Sequence, residues 1–187
     1  MQRISQITNS HCGPATLAML LSNYGVTVSQ EQIVAAAGVG YKIGTHGMTI
    51  EELVFAGKRL VSQLSFWSKS DSDAHELLEI VEHYKTAVGI EWQGLFGEYS
   101  DGDDGHFGVV THVDRESGIL LIADPYDKFA GHDRLFRVHE FVDRWWDINE
   151  VTDPFTRHVK HIADDRALFV ITRPEETFPE KFGMERE

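Results

Sequence analysis

The stretch Cys12-Gly13-Pro14-Ala15-Thr16-Leu17-Ala18-Met19-Leu20-Leu21 constrains the fold more than any other part of the chain. Ala15, Leu17, Ala18, Met19, Leu20, Leu21 and Tyr24 cover most of a helix circumference, so this helix has no polar face to give to solvent and must be wrapped by other elements. Pro14 suits the first helical position, where its missing N–H would have been an orphan and its fixed φ is already helical. Gly25 supplies the stop. Cys12, the only cysteine, therefore stands at the mouth of a central helix, where unpaired N–H groups and the positive end of the macrodipole favour a thiolate. Such a residue is either a small core hydrophobe, the usual fate of a free cysteine, or a reactive thiol with a pKa below the free value of about 8.5.

At 187 residues the chain suits one well-buried domain better than two, so a single domain over residues 1–173 is expected, followed by a charged, frayed tail over 174–187. A single cysteine excludes an internal disulfide and agrees with a reducing compartment. No apolar run approaches the roughly 20 residues that cross a bilayer, and the N-terminus lacks a signal-peptide pattern. The expected location is the cytoplasm, with no membrane insertion. The net charge of −13 argues against nucleic-acid or anionic-membrane partners, which need clustered Lys and Arg. Thirty acidic against seventeen basic residues either steer a cationic peptide or amine to the surface or serve solubility, and solubility is the simpler reading.

Along the chain, Ser29-Gln30-Glu31-Gln32 is a capping box opening a short helix that Gly38 ends, and Thr49-Ile50-Glu51-Glu52 is a second. The Gly-rich segment between them matches no phosphate-binding fingerprint. Leu64 to Trp67 reads as a strand, and Asp73 caps a helix through Tyr84. Thr86 to Trp92 is a strand, residues 93 to 105 a polar loop, and Phe107–Val113 with Ile119–Ala123 a hairpin. Phe136 to His139 is a weak strand, Val138 to Trp146 a short helix, and Ala167 to Thr172 a closing strand. Helices gather in the first half and strands in the second, the order of an α+β domain.

A thiolate nucleophile needs a base in hydrogen-bond reach, a group that orients the base, and donors aimed at a developing oxyanion. The hairpin supplies the first two. Folding it about residues 115 to 118 makes opposed positions sum to about 231 to 233, which brings His106, before one strand, beside Asp124, at the end of the other. Alone, His106 is a loop histidine and Asp124 a turn initiator before Pro125. Together at one end of one hairpin, they match the needs of a helix-start cysteine.

Gln6, lying six residues before Cys12, then Cys12-Gly13-Pro14-Ala15, Gly105-His106-Phe107 and Asp124-Pro125 resemble the papain-like cysteine peptidases. Within that superfamily the pattern is most similar to the double-glycine, bacteriocin-processing peptidases and their stand-alone relatives, as is Gly47-Met48-Thr49 leading into a helix. The resemblance spans roughly residues 4 to 146. It differs at His11, where transporter-linked members usually have an acidic residue. It implies a papain-like α+β fold in which a helical N-terminal half, with the cysteine on its central helix, packs on a C-terminal antiparallel sheet. It also implies Cys12 as nucleophile, His106 as general base and acid, Asp124 as the group holding the imidazole, and Gln6 as an oxyanion donor beside the Cys12 N–H. The reaction expected is cleavage of a peptide or small amide through a thioester, with no cofactor and no metal.

Two alternatives stay open at this stage: acyl transfer to an amine or thiol, as in the related phytochelatin-synthase type, and a non-catalytic peptide-binding module. Asp101-Gly102-Asp103-Asp104-Gly105 has oxygen ligands in a turn but lacks the later Glu of an EF-hand, so it reads as a solvated loop. His158 and His161, near Asp164 and Asp165, lack the partners of a metal site. Period-two counting puts His112 on the face of His106 at the far end of its strand, a structural place. His11 adjoins Cys12 but is poorly placed to act on it, and Trp145 and Trp146 are expected to pack the sheet's flank.

Overall fold

The computed structural model describes residues 1–94, 105–152, 156 and 158–186. The acidic turn at 101–104 lies outside the described residues. Helix α1 (Cys12–Ser22) is buried from Cys12 through Leu21. Its N-cap is His11, which places Pro14 third in the helix instead of first. The position is still tolerated because none of the first four helical N–H groups has an intrahelical partner.

Helix α2 (Gln30–Ala37) opens on the expected Ser29 capping box and ends at Gly38, whose φ of 75° is the left-handed conformation of a helix stop. A short helix α3 (Ile43–His46) interrupts the Gly-rich segment read as a loop. Helix α4 (Ile50–Leu60) starts at the Thr49 box, and after strand β1 (Ser65–Lys69) helix α5 (Ala74–Glu82) starts at the Asp73 box.

The remaining chain is mostly β. Strands β2 (Val88–Gln93), β3 (Gly105–Asp114) and β4 (Ile119–Ala123) are followed by β5 (Asp133–Arg137) and helix α6 (Val138–Val142). Next come β6 (Trp146–Thr152), β7 (Val159–Asp165), β8 (Leu168–Thr172), a 3-10 turn (Phe178–Phe182) and β9 (Glu185–Arg186). Seven strands form an antiparallel sheet in the order β5-β4-β3-β2-β8-β1-β9, while β6 and β7 pair as a separate hairpin. That hairpin escaped the sequence reading because β7 has almost no buried side chain and so lacks a hydrophobic period.

The sheet divides two apolar cores. On one face α1, α2 and α4 pack on Phe66, Phe107, Val109 and Phe169; on the other, α5, α6 and the C-terminal turn pack on Trp67, Ile90, Trp92 and Val170. The tail is therefore not frayed. Phe178 and Met184 are buried in the second core, Tyr84 stacks on Phe178 with ring centroids 4.2 Å apart, and β9 pairs with β1. Charge and proline had marked this segment as loose, but two apolar anchors outweigh them.

The β3–β4 ladder runs as expected near the site, with Val109 opposite Ala123 and Val110 opposite Ile122. It then shifts between Val110 and His112. This bulge reverses the alternation, so that Val110 and Val113 share one core and His112 leaves the face of His106. No helix among the described residues is long and apolar enough to cross a membrane.

If the tail anchors the second core, Phe178→Ala lowers unfolding free energy in urea by about 3 kcal/mol, the scale for a buried aromatic deletion. A loss under about 0.5 kcal/mol, the range of a surface change, would return the tail to a frayed segment.

Candidate active site

Three elements converge on Cys12. Helix α1 presents the thiol in its first turn, β3 carries His106, and the end of β4 leads into Asp124. His106 Nε2 lies 2.8 Å from Asp124 Oδ1, and the two side chains are 3% and 0% exposed. Cys12 lies within the electrostatic reach of the same ring, and each of the two groups shifts the pKa of the other. The backbone N–H groups of Phe107 and Gly13 also lower the pKa of the thiol.

The approach is close on every side. A Cβ at Gly94, just past β2, would lie 2.6 Å from His106 Cβ, so only glycine leaves the ring its place. Asp124 is fully provided with donors: Oδ1 also accepts the Tyr126 N–H at 2.9 Å, and Oδ2 accepts Arg134 Nη1 at 2.7 Å.

Burial alone would raise the Cys12 pKa, but the hydrogen bond and charge of His106, with the two backbone donors, bring it below the usual thiol range. Burial alone would lower His106, yet its bonds to Asp124 and Cys12 and their negative charge push it up to about 9. The carboxyl of Asp124 is raised by burial and lowered more strongly by His106, the Tyr126 N–H and Arg134. All three directions favour a thiolate facing an imidazolium, with a carboxylate behind it.

Gln6 sits at the edge of this group. Its N–H donates to Pro125 O at 2.8 Å, tying the N-terminal segment to the turn after Asp124. Its side-chain Nε2 donates to Thr8 O at 2.8 Å, which leaves one amide N–H to offer elsewhere. Its buried Oε1 has no partner among the described residues. His11 does not compete for the thiol, since its Nδ1 is 2.5 Å from Thr8 Oγ1.

An open cleft of about 310 Å³ reaches Cys12. Asn9, Ser10 and His46 line one side and Asp147, Ile148 and Glu150 the other. His46 Nδ1 and Glu150 Oε2 approach to 3.9 Å across it. Behind the β6 wall, Glu91 is 1% exposed; burial raises its carboxyl well above the usual range, helped by the charge of Asp147 and opposed by the Asn149 amide. Asn149 Nδ2 donates to Glu91 Oε1 at 3.2 Å and to Asp164 Oδ2 at 2.8 Å.

The sequence reading missed this acidic wall and Arg134, although the alternation Trp146-Asp147-Ile148-Asn149 held a strand signal. Trp145 is buried and donates its indole N–H to Ala167 O, whereas Trp146 stays 36% exposed. Among the described residues no group of three His, Cys, Asp or Glu is placed to hold a metal; His161 instead lies 3.8 Å from Glu150. A larger hollow of about 650 Å³, lined by Tyr24, Lys85, His112 and Arg173, touches none of the residues around Cys12.

A search of the curated proteins finds no match. Among solved structures, the chain is similar to the peptidase domain of Streptococcus ComA, a bi-functional ABC transporter involved in a quorum-sensing pathway. The TM-score is 0.61 at 17% identity, covering 92% of this chain and 98% of that one, which fixes the papain-like α+β fold. The family model described as the Peptidase_C39 like family matches residues 1–153, a span that holds α1, His106, Asp124 and the acidic wall. By fold and by family match, then, this chain belongs to the Peptidase_C39 like family.

Proposed function

We propose that the protein is a cysteine peptidase or amidase in which Cys12 is the nucleophile, His106 the acid and base, and Asp124 the group that orients the imidazole. The observation that carries this reading is a buried His106–Asp124 pair at 2.8 Å whose imidazole is coupled to Cys12 at the start of a buried helix. The thiolate adds to an amide carbonyl carbon, and the carbonyl oxygen becomes an oxyanion facing the Cys12 N–H and the remaining N–H of Gln6. His106 gives its proton to the leaving amine as the C–N bond breaks, which leaves a thioester on Cys12 and a neutral imidazole. That imidazole takes a proton from water, hydroxide oxygen adds to the thioester, and the acid product leaves with the thiolate restored. Asp124 remains ionised throughout and fixes which ring nitrogen faces the sulfur.

The substrate side of the reading follows from charge. The cleft at Cys12 is bordered by Asp147 and Glu150, and no Lys or Arg is among the described residues lining it. A peptide or small amide bearing a cationic group next to the scissile bond fits that lining better than an anionic one.

The pH dependence has a definite sign. The ion pair exists above the lowered pKa of Cys12 and below that of His106, about 9. Turnover therefore falls in acid as the thiolate is protonated and falls again near pH 9 as the imidazolium, the acid for the leaving group, is lost. Iodoacetamide should alkylate Cys12 well below the pH where a free thiol reacts, and His106→Ala should remove that low-pH shoulder. Alkylation that begins only in alkaline solution in both proteins would rule the activated thiol out.

Peptidyl chloromethyl ketones test the rest. Gln6→Ala is expected to lower kcat on a fluorogenic amide by about 10²- to 10³-fold with KM little changed. A ketone with lysine beside the warhead should inactivate about tenfold faster than its norleucine counterpart, an advantage of about 1.4 kcal/mol. Asp147→Asn with Glu150→Gln should erase it. Equal rates for lysine, norleucine and glutamate would discard the cationic substrate and keep the nucleophile.

A further inference from the structure

Resting on the triad reading above, we propose that Arg134 is a positioning residue: seated among three aromatic rings, its guanidinium holds Asp124 in the orientation and charge state that His106 requires. Asp124 has no exposed side-chain surface, so neither oxygen can rely on bulk water. Oδ1 is occupied by His106 and the Tyr126 N–H, and Oδ2 accepts Arg134 Nη1 at 2.7 Å. A carboxylate gripped on both oxygens cannot turn about its last bond, and the bond to the imidazole keeps one direction.

Arg134 is itself fixed. Its guanidinium carbon lies 4.0 Å from the Phe129 ring centroid, 4.9 Å from Phe136 and 5.3 Å from Trp92. These faces attract the cation and keep it only 15% exposed, so its field reaches Asp124 with little screening. Lysine would bring the charge without the planar group that stacks on rings and pairs with a carboxylate.

The backbone sets the reach. Arg134 stands on β5 opposite Ile122 of β4, two residues before Asp124, so the ladder that builds the hairpin also aims the arginine. Its neighbour Asp133 binds Arg3 through both oxygens, at 2.5 and 2.6 Å, and accepts Thr111 Oγ1 at 2.8 Å. One short strand thus ties down both the orienting carboxylate and the segment that leads to Gln6.

The test compares Arg134→Met and Arg134→Lys with the wild type by iodoacetamide alkylation of Cys12 across pH, by kcat and KM on a fluorogenic amide, and by thermal midpoint. Arg134→Met is expected to lower kcat about 10- to 100-fold with KM nearly unchanged, the usual cost of losing an outer partner of an active-site group. It should also weaken the low-pH alkylation shoulder, and Arg134→Lys should recover part of both. Should Arg134→Met fail to fold, Phe129→Leu, which removes only the nearest ring, is expected to move the profile less and in the same direction. A shoulder and kcat unchanged in a folded variant, with only the thermal midpoint lowered, would make Arg134 a scaffold residue and overturn the inference alone. A wild type with no shoulder would overturn the triad reading, and this inference with it.

Discussion

A buried imidazolium is costly to form unless a carboxylate of opposite charge lies against it, and here that carboxylate is Asp124. Its side chain is fully buried, its donors come from His106, the Tyr126 backbone and Arg134, and its hydrogen bond to His106, together with the bond and charge of Cys12, raises the pKa of the imidazole. Remove that negative charge and burial favours a neutral ring and a neutral thiol, the state in which Cys12 is only another small residue of the core. The reactivity assigned to Cys12 therefore originates on the far side of the imidazole, in a turn more than a hundred positions along the chain.

The fold serves this arrangement by making its parts hard to move. Helix α1 is buried almost along its length, so the sulfur cannot drift without opening the first core. Strand β3 is held between β2 and β4, with Trp92 opposite His106 on one side and Val109 opposite Ala123, the residue before Asp124, on the other. The bulge past Val110 lies beyond these pairs, so the ladder is regular where His106 and Asp124 must meet. The β6–β7 hairpin, outside the seven-stranded sheet, supplies the acidic wall of the cleft and is tied to β2 through Asn149 and Glu91.

Much of this was legible in the residues. The capping boxes at Ser29, Thr49 and Asp73 are local hydrogen-bond patterns, and all three open helices. Hairpin arithmetic brought His106 to Asp124 because register follows from a short turn, and an apolar circumference announced the burial of α1. What escaped depends on longer reach. Arg134 carried no signal in the sequence, since nothing local shows that Phe129, Phe136 and a tryptophan from β2 surround it. Asp147 and Asn149 face inward on a hairpin whose other strand is almost wholly exposed, so no hydrophobic period marked it. Phe178 and Met184 were hidden in a charged tail, where composition spoke for disorder and two side chains decided otherwise.

The ionisation of His106 is the quantity on which the account turns, and it can be read directly by NMR from the imidazole carbon and nitrogen shifts of the uniformly labelled protein, assigned by difference with His106→Gln. The account requires an imidazolium at pH 7 that loses its proton near pH 9. A ring that is neutral at pH 7, titrating at or below the usual histidine value of about 6.5, would contradict it.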